Sequence, residues 1–468
     1  MDAFTALLIA ACAAVPVFAL GLLLHRSWQA GNRLRTIVIG LTFIHETSLV
    51  ALPAWYSCFT GFEIEAGIGV TPDQLLRVYA GEALFVLLFA AVLLLPGRRQ
   101  RAVRAQTYEK DNALVCALVV GAALLYVGRL FSPVFSAQDV AHHYQIVVQT
   151  NFWDELLEWG ITLVQWPGFV AAAIVAADRS LSRPMRWIAF SVLASELVFS
   201  MLHGLRGGMV WVVSMVAIGG YYIGRKRLLL AAGALTLFLV PLFPWLHSTM
   251  RYASIGAPLG TSRIEMIPFL LRGITDPDTI ATGADAVGFL ESWAVRAEGG
   301  RNSTALYALY DRGEAASYMP ILGAAVLPIP RMWWSAKPVA GSTDTTNLGA
   351  AIYRVQQGKP NSAFYDMGPI LASAHAYWEG GWIWLAAAPL LSGWMWRLLF
   401  VWADRARRQS VDIIVLTFTT ALPIDGFFGG INPVFAYVRI LWITLLPLGL
   451  AVLVIRKYMQ ARRAAVYA

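Results

Sequence analysis

The sequence predicts an all-α protein: a polytopic membrane helical bundle of about eleven spans with a large helical loop on the outer side. Three observations carry this reading. Residues of the AVILMFWYC set make up 58% of the 468 residues and charged residues only 14%, where a soluble domain holds about 25% charged residues. Mean hydropathy is +0.60. The basic residues between the apolar runs also alternate in a regular way. This composition excludes an ordinary cytosolic enzyme, a disordered chain and a disulfide-stapled secreted module. The 18 Trp, 17 Tyr and 23 Phe residues exclude a low-complexity polymer.

Apolar runs long enough to cross a bilayer fall at 3–24, 37–58, 78–96, 112–130, 157–177, 187–205, 207–224, 228–247, 381–400, 411–428 and 434–455. The first is expected to remain in the protein rather than act as a cleaved signal. No basic stretch precedes it, and Arg26, Arg33 and Arg35 follow it.

Alternate connections differ in charge. One set carries Arg26, Arg33 and Arg35, then Arg98 to Lys110, Arg179 to Arg186, Arg225 to Arg227, Arg397 to Arg408 and Arg456 to Arg463. Together these hold 22 of the 36 basic residues. The other set is acidic or mixed: Glu63, Glu65 and Asp73, then Asp139, Asp154, Glu155 and Glu158. The positive-inside rule then places the N-terminus and the 248–380 segment outside and the C-terminus in the cytoplasm. The net charge of +8 is thereby a topology signal, and no nucleic-acid partner is expected.

The expected organisation is a membrane part over 1–247, an external cap over 248–380, and a second membrane part with a cytoplasmic tail over 381–468. The cap segment carries ten basic and eleven acidic residues and is rich in Gly and Pro. Its aromatic and apolar content argues for folded short helices rather than disorder.

Three strips hold residues suited to chemistry. In Gly204-Leu205-Arg206-Gly207-Gly208, glycines let backbones approach closely, and a guanidinium beside exposed N–H groups is a seat for phosphate. A tight hairpin with a snorkelling Arg explains the same residues. In Pro328 to Pro338, Arg331 and Lys337 supply two cations and Trp333 and Trp334 can stack on a sugar. An aromatic anchor at the interface is the structural alternative. In Leu371 to Gly381, His375 and Glu379 stand four apart, so one helix face would carry an imidazole beside a carboxylate, as a general base needs. Arg251 is a further external cation.

Glu46 beside His45, Glu82 and Glu196 are ionisable groups in or near spans, where charge is costly. Cys12, Cys58 and Cys116 form no C-x-x-C pair and read as small buried hydrophobes. His142-His143 has no partner at metal-ligand spacing, and no metal site or cofactor is expected. Asn302-Ser303-Thr304 matches a glycosylation triplet, a motif too short to weigh much.

The order of these features resembles the bacterial O-antigen and oligosaccharide repeat-unit polymerases, architecturally related to O-antigen ligases. Members commonly carry an Arg-Gly turn between two mid-chain spans, similar to Leu205-Arg206-Gly207-Gly208. They often carry a Pro-Arg-x-x-Trp-x-x-Lys-Pro strip, here Pro330 to Pro338. A Gly-rich helix start follows, similar to His375 to Gly381, although members often show a Glu near the position of His375. The resemblance covers about 190–400.

It implies a GT-C-like glycosyltransferase in the bacterial inner membrane. The donor would be a polyprenyl-pyrophosphate-linked oligosaccharide and the acceptor a second such unit, with membrane lipid around them and a chain-length regulator as a partner. Arg206, Arg331, Lys337, Arg251, Trp333 and Trp334 would bind substrate, and His375 or Glu379 would take the acceptor proton. A ligase using another acceptor, or a lipid-linked glycan transporter, remain as alternatives.

Overall fold

The structure, a computed structural model, describes residues 2–60, 71–95, 108–131, 152–202, 206–235, 263–275, 299–314 and 370–425, with 449 and 457 in isolation. In chain order the helices are α1 (Ala3–Gln29), α2 (Arg33–Glu46), α3 (Leu52–Thr60), α4 (Pro72–Leu94), α5 (Asn112–Phe131), α6 (Phe152–Ala177), α7 (Arg183–Leu202) and α8 (Arg206–Ile223). They continue with α9 (Arg263–Thr275), α10 (Gly300–Asp311), α11 (Ala372–Ala406) and α12 (Gln409–Asp425). Residues 226–235 are also helical. The described residues contain no strand, only one isolated bridge between Glu109 and Arg408. The all-α class expected from the sequence is what is seen.

Local chemistry accounts for the helix starts. The Asp2 carboxylate accepts the Thr5 N–H at 2.8 Å, and the Asn32 side chain accepts the Arg35 N–H at 3.1 Å. Thr71 and Gln74 form a reciprocal capping box ahead of α4, with Pro72 in the first turn. Each partner satisfies N–H groups that the first helical turn leaves without carbonyls.

Among the described residues, α1, α4 and α11 are long and apolar enough to cross a membrane. Shorter apolar stretches accompany them at Asn112–Gly128, Trp166–Ala177, Trp211–Ile223 and Gln409–Thr419. The expected run 37–58 is not one continuous α-helix. It divides into α2, a π-helical turn over Thr47–Ala51 and α3. The expected spans at 228–247 and 434–455 lie largely outside the described residues.

Helix α4 packs against α1 and α11, and α6 packs against α5, α7 and α8. The larger apolar core runs through α1, α2, α4 to α8, α11 and α12, with Leu20, Phe85, Ile174 and Met215 fully buried. A second core joins Ile9 of α1, Val78 of α4, Leu306 of α10 and Leu371 and Leu385 around and within α11. Cys12 and Cys58 pack against this second core, and all three cysteines are free thiols.

The described parts of the basic connections meet at one end of the bundle. Asn32 donates to Asp404 at 3.1 Å, Arg35 pairs with Asp404, and Arg33 donates to the Tyr222 carbonyl at 3.1 Å. Lys110 pairs with Asp178 at 3.1 Å and Arg408 with Glu109 at 2.9 Å. Tyr108 and Tyr222 both donate to Asp412, at 2.9 and 2.6 Å. Segments grouped by charge alone are therefore neighbours in space. At the opposite end, the first turns of α4 and α11 receive α10.

Candidate functional site

Helices α4, α10 and α11 converge on Arg77. Its guanidinium donates to both oxygens of Asp311, at 2.6 and 3.2 Å, and also to the Tyr377 hydroxyl. Tyr377 in turn donates to Asp311 at 2.9 Å. Around this triangle the rings of Tyr307 and Tyr377 stack, with centroids 4.1 Å apart and planes 6° from parallel. The Arg77 Cζ lies 5.3, 4.9 and 5.6 Å from the ring centres of Tyr307, Tyr377 and Trp382. A forked, planar cation suits both the carboxylate and the ring faces. The Arg77 hydrogen bonds hold the Asp311 carboxyl below its ordinary range.

A break in α11 places Trp382 over this group. The backbone leaves helical geometry at Gly380 and Gly381, the latter with φ 61° and ψ −150°. That conformation is essentially reserved for glycine. The chain beyond it carries Trp382 to 5.3 Å from Tyr377, and the Trp384 Nε1–H donates to Glu379 at 2.7 Å.

Toward the bundle interior sits a second polar group. Glu82 of α4 is 1% exposed and accepts the Ser373 backbone N–H at 3.1 Å. Glu46, the last residue of α2, is 0% exposed. The Tyr307 hydroxyl lies against Gly81, so close that a methyl group there would overlap it. Both oxygens of Glu46, Oε1 of Glu82, Oγ of Ser373 and the Tyr307 hydroxyl lack hydrogen-bond partners among the described residues.

The residues picked out from sequence fall as follows. Arg206 is the first residue of α8, and its side chain lies outside the described part. Arg251, Arg331, Trp333, Trp334 and Lys337 lie outside the described residues, as does His142-His143. His375 and Glu379 share the first segment of α11 at the expected four-residue spacing. They do not pair: Glu379 takes the Trp384 N–H, while His375 is 2% exposed and its Nε2 has no partner among the described residues. The apolar packing around the start of α11 explains the separation, since His375 turns into the core and Glu379 remains half-buried.

The Asn302-Ser303-Thr304 triplet sits inside α10. Ser303 and Thr304 are buried, and the Ser303 hydroxyl accepts the Leu371 N–H at 2.9 Å and donates to the Gly299 carbonyl at 2.6 Å. Its role here is to join α10 to the start of α11. Among the described residues no group of three or more His, Cys, Asp or Glu side chains is arranged to hold a metal ion.

Reading the sequence missed Arg77, Asp311, Tyr307 and Trp382. Arg77 and Glu82 within one apolar helix were the available signal. The Asp311 partner, 234 positions away, has no local sequence signature. Compared with protein-family models, with curated proteins and with solved structures, the chain matches none.

Proposed function

We propose that this protein is a membrane glycosyltransferase that polymerises polyprenyl-pyrophosphate-linked oligosaccharide repeat units. In this reading the chain makes about eleven spans in the bacterial inner membrane, with the N-terminus and the cap over 248–380 in the periplasm and the C-terminus in the cytoplasm. The meeting of the Arg-rich connections at one end of the bundle supports that sidedness. The Arg77 cluster then belongs to the periplasmic half.

The observation that carries the reading is Arg206-Gly207-Gly208 at the start of an 18-residue helix. Unpaired N–H groups and the helix dipole favour an anion at such a position, and the same turn is one of the motifs shared with repeat-unit polymerases. Arg206, Arg331 and Lys337, with Arg251, neutralise the pyrophosphate. Trp333 and Trp334 offer faces for the sugar.

An acceptor hydroxyl attacks the anomeric carbon of the donor sugar. The new glycosidic C–O bond forms as the bond to the pyrophosphate oxygen breaks, and the electron pair leaves with polyprenyl pyrophosphate. The acceptor proton passes to Glu379 or His375, of which Glu379 is the more accessible. Fixed cations lower the barrier because negative charge grows on the leaving group. Losing one such contact costs about 3 kcal/mol, or about 10²-fold in rate. The reaction needs no nucleotide and no cofactor. The test is glycan length in cells carrying Arg206→Ala or Arg331→Ala at unchanged protein level. Single repeat units are expected, and full-length polymer in both variants would overturn the assignment of these cations.

A further inference from the structure

Trp382 is fixed by its neighbours and yet keeps 50% of its surface open. The rings of Tyr377 and Tyr307 meet it at 76° and 75°, with centroids 5.3 and 6.4 Å away. The Arg77 Cζ lies 5.6 Å from its ring centre. The break at Gly380 and Gly381 delivers the indole to this position, and the Tyr310 ring closes in on Gly381 from outside. The open part of the ring is therefore set before anything binds, which spares a ligand the cost of ordering it.

The groups beside the ring are polar but carry no net charge together. Arg77 and Asp311 pair with each other, and their side chains remain 36% and 43% exposed. Arg77 uses three of its five N–H groups, on Asp311 and Tyr377, which leaves two among the described residues. The Asp311 oxygens also keep lone pairs. An anion would meet a guanidinium already neutralised, and a cation would meet that guanidinium directly. A hydrocarbon chain would cover the open donors and acceptors without partnering them, which is costly. A sugar ring fits all three features: its C–H face lies on an indole, and its rim hydroxyls both donate and accept.

We propose that Trp382, with the Arg77–Asp311 pair beside it, forms a binding platform for an uncharged sugar residue of a glycan. The indole carries the C–H face, Asp311 accepts from the rim hydroxyls, and the remaining Arg77 N–H groups donate to them. Tyr377 and Tyr307 hold the guanidinium and the indole in register. In the polymerase reading this platform lies in the periplasmic half and takes the glycan of a repeat unit. Sugar binding itself does not rest on that reading, and its assay measures binding of free sugars rather than chain growth.

The test uses the full-length protein in a detergent without a sugar headgroup. Saturation-transfer NMR is recorded with maltose, cellobiose, lactose and chitobiose. At least one is expected to receive saturation, strongest at the C–H protons of one ring face. Trp382→Ala is expected to weaken binding about tenfold, the loss of one aromatic stack. Trp382→Phe keeps a smaller ring and is expected to bind at an intermediate level, so an unstable alanine variant does not end the test. Asp311→Asn is expected to weaken binding about threefold. Trp394→Ala, at a second half-exposed indole of α11, is expected to change nothing. If no sugar receives saturation from the wild-type protein, the proposal is overturned. Brominated lipid that quenches the wild-type protein more than Trp382→Phe would then assign the ring to the membrane surface. Undiminished sugar binding in the Trp382 and Asp311 variants would also overturn the proposal.

Discussion

Arg77 and Asp311 stand 234 positions apart in the chain and are joined by two parallel hydrogen bonds of 2.6 and 3.2 Å. Exposed ion pairs of this kind contribute about 0.2–1 kcal/mol, and a cation over aromatic faces adds about 0.5–1 kcal/mol. Arg77→Ala should therefore destabilise the protein by about 1–2 kcal/mol, measured by denaturant unfolding in detergent. Arg77→Lys should recover less than half of that loss, because an ammonium cannot fork to two oxygens or lie flat on a ring.

The same pair sets a pH dependence. Asp311 sits below its ordinary value of 3.8 because Arg77 donates to it. A carboxyl with a lowered folded pKa stabilises the fold at pH values above its unfolded pKa. That contribution is lost as pH falls through the folded value. Acid unfolding of the wild-type protein should steepen below the ordinary aspartate range. Asp311→Asn should flatten that part of the curve and leave the neutral region with a lower, nearly constant stability.

Gly81 is the point where α4 meets Tyr307. Alanine in mid-helix normally gains about 1 kcal/mol over glycine. Here the added methyl would overlap the Tyr307 hydroxyl, and that ring is fixed by its stack on Tyr377. Overpacking costs about 1–3 kcal/mol, so Gly81→Ala should be destabilising. In a Tyr307→Phe background the hydroxyl is gone, and the same substitution should become neutral or stabilising. A double-mutant cycle on unfolding free energy reads the difference.

Gly381 breaks α11 with φ 61° and ψ −150°, and a side chain there would run into the Tyr310 ring. Gly381→Ala should cost about 1–3 kcal/mol. It should also change the fluorescence of Trp382 and Trp384, since the break positions both.

Hydropathy and charge made the helices legible because lipid and the positive-inside rule act on local sequence. Asn112 to Phe131 matches the expected run 112–130 to within one residue, whereas α4 starts at Pro72, six residues before the expected 78. The division of 37–58 was not legible, since a π turn at Thr47–Ala51 leaves hydropathy unchanged. His375 and Glu379 stand four apart in the first segment of α11, but spacing does not show that Glu379 bonds Trp384. Trp384 reaches Glu379 only because the helix breaks between them, and a Gly-Gly pair does not announce which way the chain turns. Arg77 and Asp311 illustrate the general limit: each is an ordinary charged residue until three helices bring them together.

The most direct test of the proposed function is an assay of the purified full-length protein in lipid with polyprenyl-pyrophosphate-linked repeat units as sole substrate. Glycan chains of two or more repeats should accumulate together with free polyprenyl pyrophosphate, and Arg206→Ala should slow both by about 10²-fold. Donor that stays at one repeat unit, under conditions where the protein is folded by the unfolding assays above, would contradict the account.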